Sequence, residues 1–206
     1  MKGKRFYLII GILIATVIVF ACLKNTDTFK TLAREGVQAY ELSEKEKELL
    51  RSFGMEGNSH IISFNAPKEL TSLELKAYKL KDNKEWEVIS SGGVSIARDR
   101  QPIDRLFGSL TMQLLEDHVI QCNINTAGRV SFKTDKIILD GEEMASLKVF
   151  LQDYQEIERD REIPLALMVY DGKTSMRNYS LEDYFNPTKF QGVDLVQVLT
   201  LTFKAE

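Results

Sequence analysis

Two stretches of the chain decide its fold: residues 163–170, which read IPLALMVY, and residues 195–203, which read LVQVLTLTF. Both are short and apolar at successive positions, a pattern typical of strands that are covered on both faces. We therefore predict that they are central strands of a sheet. In the second stretch the apolar phase slips between Val198 and Leu199, which predicts a β-bulge at that point.

Apolar and polar residues alternate in the segments around these two stretches, as expected for strands with one buried face. The alternating segments are residues 73–77, 86–88, 110–114, 130–132 and 147–151. Turn-forming pairs such as Asp82-Asn83, Gly92-Gly93 and Asp171-Gly172 separate the strands, and no amphipathic helix intervenes. This order predicts a mainly β fold, an antiparallel β-sandwich or barrel-like domain that spans residues 59–206.

Residues 24–58 are predicted to form a short, polar, helical stalk. Within them Ser43 and Glu46 have the spacing of a capping box, in which each side chain satisfies a backbone N–H of the other residue. Gly54 lies where a helix that starts after Ser43 would end in a left-handed residue.

The first 23 residues are predicted to be a signal or membrane-anchor segment. Residues 6–23 form an uncharged run of 18 residues. Three basic residues precede the run: Lys2, Lys4 and Arg5. As a helix, such a run rises about 27 Å, close to the roughly 30 Å of a hydrocarbon core. Because the basic residues flank its N-terminal side, residues 24–206 are expected on the extracytoplasmic side of a cell membrane.

The last four residues of the run, Val19-Phe20-Ala21-Cys22, resemble the lipobox of bacterial lipoproteins. There a signal peptidase cuts before a cysteine that carries a diacylglyceryl group, so the resemblance implies lipidation at Cys22. It covers the signal region only, and no family is recognised for residues 24–206. Three interpretations stay open: a lipoprotein, an uncleaved transmembrane anchor, and a signal that is cut to release the domain.

The charge of the chain bears on its partners. The whole sequence has 27 basic and 30 acidic residues, and the part after the apolar run has 24 basic and 30 acidic residues, a net charge of −6. A body of that sign does not attract nucleic acid through its net field, so no nucleic-acid partner is predicted. The expected partners are the membrane, through the N-terminal segment, and another envelope protein or a glycan.

The sequence carries no common catalytic or cofactor motif. It has no glycine-rich phosphate loop, no Gly-x-Ser-x-Gly elbow, no His-Glu-x-x-His and no Cys-x-x-Cys. The two histidines, His60 and His118, are expected to be solvated, and Cys122 to be an inert core residue. We therefore predict no catalytic residue, no metal site and no cofactor; a non-enzymatic role is favoured, although the question stays open.

Five carboxylates crowd one connection between strands: Asp153, Glu156, Glu158, Asp160 and Glu162. Such a group could bind a hard cation such as Ca²⁺. Arg159 and Arg161 alternate with the carboxylates, however, and the connection has no glycine. A solvated connection that keeps a sheet edge charged accounts for the pattern without a ligand.

Residues 178–190, NYSLEDYFNPTKF, combine aromatic rings with polar loop residues, as a recognition surface requires. The residues predicted to contact a ligand are Tyr179, Tyr184, Phe185, Asn186 and Phe190. The alternative is that the segment folds over one open end of the sandwich and inserts its rings as a plug.

Three hypotheses about function follow. The first is a membrane-anchored extracytoplasmic binding or accessory domain of the cell envelope, whose ligand the sequence does not identify. The second is an envelope hydrolase that uses a pair of carboxylates on a glycan. The third is a single-pass subunit that assembles through its transmembrane helix, where Gly11 and Ala15 would permit close helix packing.

Overall fold

The computed structural model describes residues 34–82, 84–96, 105–139, 144–172 and 177–205. The predicted anchor at residues 1–23, with Cys22 and the Gly11–Ala15 pair, lies outside the described residues. Within the described ranges, no helix is long and apolar enough to cross a membrane.

The fold is mainly β, as predicted, and consists of two five-stranded sheets. In spatial order the first sheet contains β1 (Gly36–Ala39), β2 (Ser59–Asn65), β5 (Phe107–Leu114), β6 (Ile120–Asn125) and β7 (Arg129–Lys133). The second contains β4 (Glu85–Ser95), β3 (Ser72–Lys81), β10 (Leu195–Lys204), β9 (Glu162–Asp171) and β8 (Ala145–Phe150). Neighbouring strands are antiparallel, and within the described part of the chain the sheets form no closed barrel.

One core lies between the two sheets, because the strands of both present alternate apolar residues to it. Ile62 and Leu110 belong to the first sheet, Leu75 and Leu201 belong to the second, and all four are fully buried in one cluster. Burial of a side chain of this size contributes about 1.5–3 kcal/mol. The arrangement is consistent with the predicted sandwich.

The two stretches that are apolar on both faces are interior strands of the second sheet, as predicted. β10 is its central strand and β9 lies beside it. The register between them shifts at Leu199/Thr200, where Leu199 pairs with Ala166 and Thr200 pairs with Pro164. The bulge is therefore one position from the predicted one, and its extra residue, Leu165, is on β9. A bulge also explains how a proline, which lacks a backbone N–H, is accommodated in an interior strand.

The described part of the predicted stalk contains one strand and one helix. β1 pairs with β2 at the edge of the first sheet, where the sequence pattern predicted no strand. The helix α1 (Glu44–Ser52) has the predicted capping box between Ser43 and Glu46. None of its residues is buried, and Phe53, which caps its C-terminal end, is 71% exposed.

A second apolar cluster covers the outer face of the second sheet. Side chains that point away from the shared core form its base: Tyr78, Leu80, Leu167, Val169, Val196 and Val198. The connection between β9 and β10 lies over them and adds Tyr184, Phe190 and Val193. We call this cluster the outer cluster, and the described residues 177–193 the covering segment. The aromatic residues thus lie on a sheet face and not at an open end.

The four edge strands of the two sheets have different neighbours. Val37 on β1 exchanges two backbone hydrogen bonds with Gln155, at 2.9 and 2.8 Å. β4 lies against β7, so close that a Cβ on Gly92 would be 2.5 Å from the ring of Phe132. β8 pairs with β9 on one side, and in the described part of the chain no strand pairs with its other side.

Candidate functional site

A cleft of about 730 Å³ lies at the β8 edge of the second sheet. One wall is formed by the end of β8 and the start of β9, including Val149 and Pro164. A second wall is the connection between these strands, residues 151–161, which we call the acidic connection. The third wall is the 3₁₀ helix Leu181–Phe185 of the covering segment. The volume of the cleft falls within the range typical of sites for small ligands.

Carboxylates dominate the charge of the cleft. Five line it, against one guanidinium, that of Arg161: Asp153, Glu156, Glu158, Glu162 and Glu182. Arg161 donates to Glu158, so the one cation of the lining is already paired. Asp160, which belongs to the same run of acids in the sequence, instead accepts from Arg159 at 3.2 Å and is not part of the lining. The cleft is therefore suited to a cationic ligand.

The five predicted contact residues of the aromatic segment lie in different environments. Phe190 and Tyr184 are buried in the outer cluster, and Tyr179 packs on Phe190 with ring centroids 4.9 Å apart. Asn186 is exposed between two 3₁₀ helices, where its side chain accepts from the Thr188 hydroxyl at 2.7 Å. Phe185 alone of the five lines the cleft, and it is 61% exposed. Their predicted role in ligand contact stays a prediction.

A hydrogen-bonded aromatic network fixes the wall that carries Phe185. The hydroxyl groups of Tyr78 and Tyr184 donate to the two carboxylate oxygens of Glu162, at 2.5 Å from Tyr78. Trp86 Nε1 donates to the carbonyl oxygen of Tyr184 at 3.0 Å. Burial, reinforced by the neighbouring carboxylate, raises the pKa of Tyr78 to about 12 and raises the pKa of Tyr184 as well. Both hydroxyls therefore remain donors at neutral pH, and Glu162 connects the cleft to the outer cluster.

Local capping interactions hold the 3₁₀ helix in place. The backbone N–H of Ser180 donates to Asp183 at 2.8 Å, and the ammonium of Lys189 donates to the other oxygen of the same carboxylate. Burial raises the pKa of Asp183, but these two donors outweigh it and the pKa stays below the usual value. The ionised carboxylate thus links both ends of the segment that presents Phe185.

The remaining candidate residues lie away from the cleft. His60 stacks on Phe150 with centroids 4.9 Å apart, and burial lowers its pKa, although its hydrogen bond to a carbonyl opposes the shift. His118 contacts the Tyr170 ring edge-on at 4.3 Å. Both histidines are half-buried and hydrogen-bonded to backbone carbonyls, so they are less solvated than predicted. Cys122 is fully buried, as predicted, and burial raises the pKa of its thiol to about 12.

Two smaller cavities lie elsewhere in the described part of the chain. One of about 410 Å³ is lined by Asn58, Asp117, His118 and Lys148, among others. The other, of about 490 Å³, is lined mostly by apolar atoms, and its lining residues include Phe107, Arg105 and Arg129. Among the described residues, no group of three or more His, Cys, Asp or Glu side chains is arranged to hold a metal ion.

Comparison of the chain with models of known protein families, with curated proteins and with solved structures gives no match. The function is therefore inferred from the cleft itself.

The acidic connection and the aromatic segment are separate candidates in the sequence, and residues of both line the same cleft in the structure. The sequence pattern assigned no role to Tyr78, Trp86 or Glu182. Tyr78 and Trp86 lie 106 and 98 positions before Tyr184 in the sequence. A contact over that separation leaves no local pattern, so only the strand pairing could have revealed it.

Proposed function

We propose that the chain is a membrane-anchored extracytoplasmic binding domain of the cell envelope, and that the cleft is its ligand-binding site. The observation that carries the proposal is the cleft's composition. Exposed carboxylates and the exposed ring of Phe185 share one concavity. An exposed aromatic side chain on a rigid support is a common binding anchor, and the network around Glu162 supplies that support.

The charge of the lining defines the ligand class. Asp153, Glu156 and Glu182 form no ion pair within the described residues, so they are available to a cation. An anionic ligand would be repelled by the same groups. Apolar contacts from Phe185 and Leu181 suit a ligand that carries both positive charge and apolar surface.

Photo-crosslinking in native membranes tests this proposal and requires no assumption about the identity of the ligand. Phe185 is replaced by the photoreactive residue p-benzoylphenylalanine in the full chain, and the products are identified by mass spectrometry. The same replacement at Phe53 is the control, because that side chain is also exposed but lies on α1. We expect a discrete, saturable product from position 185 that position 53 does not give.

Two double variants test whether the crosslinked product forms at the cleft. Glu156→Gln with Glu182→Gln removes two carboxylates from the lining, and Glu85→Gln with Glu87→Gln removes two exposed carboxylates from β4. The first pair should abolish the product, and the second should leave it unchanged. Absence of any product from position 185, or equal loss in both pairs, would contradict the proposal.

A second candidate function is a carboxylate-based hydrolase that acts on an envelope glycan. The observation in its favour is that several carboxylates from two different elements face one concavity, which such a mechanism needs. Purified full chain is incubated with cell-wall glycan, and the release of reducing ends is measured. Activity that disappears in both Glu156→Gln and Glu182→Gln would support hydrolysis; release no faster than from buffer alone would remove this candidate.

A further inference from the structure

Among the described residues, no strand pairs with the outer edge of β8. The outer side of β1 is bridged to Gln155, and β4 contacts β7 through Gly92 and Phe132. Exposed edge strands offer unpaired N–H and C=O groups to a further strand, and proteins usually cover or blunt them. The β8 edge borders the cleft, since Val149 and Phe150 of β8 also line the cleft.

Strand pairing identifies which backbone groups point outward at this edge. The N–H of Leu151 donates to the carbonyl of Leu165 at 2.9 Å, in register with the β8–β9 pairing. Antiparallel ladders alternate, so Val149 and Leu147 also bond to β9, whereas the N–H and C=O groups of Lys148 and Phe150 point away from it. Two successive donor–acceptor sets therefore point outward next to the carboxylates. The carbonyl of Phe150 accepts a long hydrogen bond from Gln152 Nε2, at 3.4 Å, which an incoming strand would displace.

We infer that the ligand is an extended, lysine- or arginine-bearing peptide segment of another protein, which pairs with the outer edge of β8 as an additional strand. This inference rests on the proposed function of the cleft. Backbone hydrogen bonds to Lys148 and Phe150 align the segment. Its side chains alternate between two faces, so every second one lies on the side of the cleft, over Glu156 and Glu182.

Physical reasons favour this occupant over a compact cation. Strand addition combines main-chain hydrogen bonds, which give affinity, with pockets for alternate side chains, which give specificity. The cleft supplies such a pocket: unpaired carboxylates for a basic group, and Phe185 for the aliphatic part of its side chain. A small organic cation would use the carboxylates but leave the edge of β8 unpaired.

A synthetic probe tests the inference on the full chain in detergent micelles. The probe is a fluorescein-labelled, end-blocked peptide of seven residues that alternates lysine and valine, and its control alternates glutamate and valine. Binding is measured by fluorescence anisotropy at low and moderate salt. We expect saturable binding of the basic peptide that weakens as salt rises, and no binding of the acidic one.

Variants at one position separate edge pairing from charge. Lys148→Pro removes an N–H that does not bond to β9, so the sheet retains its own ladder. Lys148→Ala removes the same side chain, with its hydrogen bond to Asn58, but keeps the N–H. We expect the proline variant to weaken binding at least about fivefold, and the alanine variant to stay within about twofold of the unmodified chain.

Hydrogen exchange provides a measurement that does not depend on whether Lys148→Pro folds. In the unmodified chain, the amides of Lys148 and Phe150 should exchange more slowly once the basic peptide is bound. Unchanged exchange at both amides, or equal affinity of the proline and alanine variants, would overturn the inference. If the peptide then still bound through the cleft carboxylates, the proposed function would stand without it.

Two further outcomes are decisive. Absence of binding by the basic peptide in every form of the assay would overturn both the inference and the cationic ligand class. Self-association of the chain that Lys148→Pro abolishes would assign the β8 edge to a second copy, and would equally overturn it.

Discussion

The two apolar clusters of this protein are built in different ways. The shared core lies between the sheets, and alternate aliphatic residues of the strands fill it, with Leu75, Leu110 and Leu201 among them. The outer cluster lies on the far face of the second sheet, where a connection supplies Tyr184 and Phe190. The core is continuous with the sheets, whereas the outer cluster depends on a segment that has only 3₁₀ turns of its own.

The difference separates residues that stabilise the sheets from residues that position the candidate site. Core residues are apolar throughout, so they contribute through burial and packing alone. In the outer cluster, by contrast, Tyr78, Tyr184 and Trp86 also have polar groups, which bond to Glu162 and to the backbone. Those bonds orient the covering segment and leave Phe185 outside, at the cleft. The outer cluster therefore supports the candidate site, and the shared core supports the sheets.

The largest effect is expected in the shared core. Phe64 is fully buried on β2 and its ring lies 5.9 Å from that of Phe203. Phe64→Ala should destabilise the protein by about 3–5 kcal/mol, because it removes burial and leaves a cavity that the sheets cannot fill. Urea unfolding followed by tryptophan fluorescence measures this. A loss below about 1 kcal/mol would mean that the two sheets do not share a tight core.

A smaller effect is expected for the matched residue of the outer cluster. Phe190 is as fully buried as Phe64, but its segment can detach while the sheets stay paired. Phe190→Ala should cost about 2–4 kcal/mol and should expose the covering segment to protease before global unfolding. Limited proteolysis with mass spectrometry reports the cut sites. Cleavage in the sheets as early as in this segment would remove the distinction between the two clusters.

A third, still smaller loss of stability is expected when a hydrogen bond to Glu162 is removed. Tyr184→Phe leaves one oxygen of Glu162 without its donor and should destabilise by about 1–2 kcal/mol. Tyr170→Phe is the control, because the half-buried Tyr170 hydroxyl donates to no described residue, and it should change stability by less than about 0.5 kcal/mol. Thermal unfolding of both variants makes the comparison. Equal effects would show that the link to Glu162 contributes nothing.

The smallest effect on stability is expected at the cleft. Phe185 is mostly exposed, so Phe185→Ala should change the free energy of unfolding by less than about 0.5 kcal/mol. It should nevertheless weaken binding of the lysine–valine peptide severalfold, since an anchoring ring is lost. Calorimetric titration and thermal unfolding of one preparation test both parts. Unfolding at a much lower temperature would place Phe185 in the outer cluster and not at a binding surface.

Much of the fold could be predicted because its signals are local. Alternation in residues 73–77 and 110–114 marks strands with one buried face, and the two-sided apolar runs mark β9 and β10. The Ser43–Glu46 capping box identifies α1 for the same reason, since its two partners are three residues apart. The predicted bulge lies one position from the observed one. The extra residue is on β9, and the apolar pattern of β10 gives no sign of a change in its partner strand.

The rest depends on contacts between distant residues. β1 is four residues long, and nothing in its sequence distinguishes it from a loop until β2 and Gln155 pair with it. The outer cluster was not predicted either, because the connection that covers this sheet face has no regular spacing of apolar residues in the sequence. In the candidate site, the acidic and aromatic segments were recognised separately. Their convergence depends on the β8–β9 pairing and on the position of the covering segment.

The central claim is that the carboxylates of the cleft bind a cationic partner, and calorimetric titration with the lysine–valine peptide tests it most directly. The full chain is compared with the cleft pair, Glu156→Gln and Glu182→Gln, and with the β4 pair, Glu85→Gln and Glu87→Gln. The two pairs change the net charge equally, so only position distinguishes them. We predict that the cleft pair weakens binding about tenfold, which corresponds to about 1.4 kcal/mol, while the β4 pair stays within about twofold. Equal weakening by both pairs would show that the peptide responds to overall charge, and would contradict the claim.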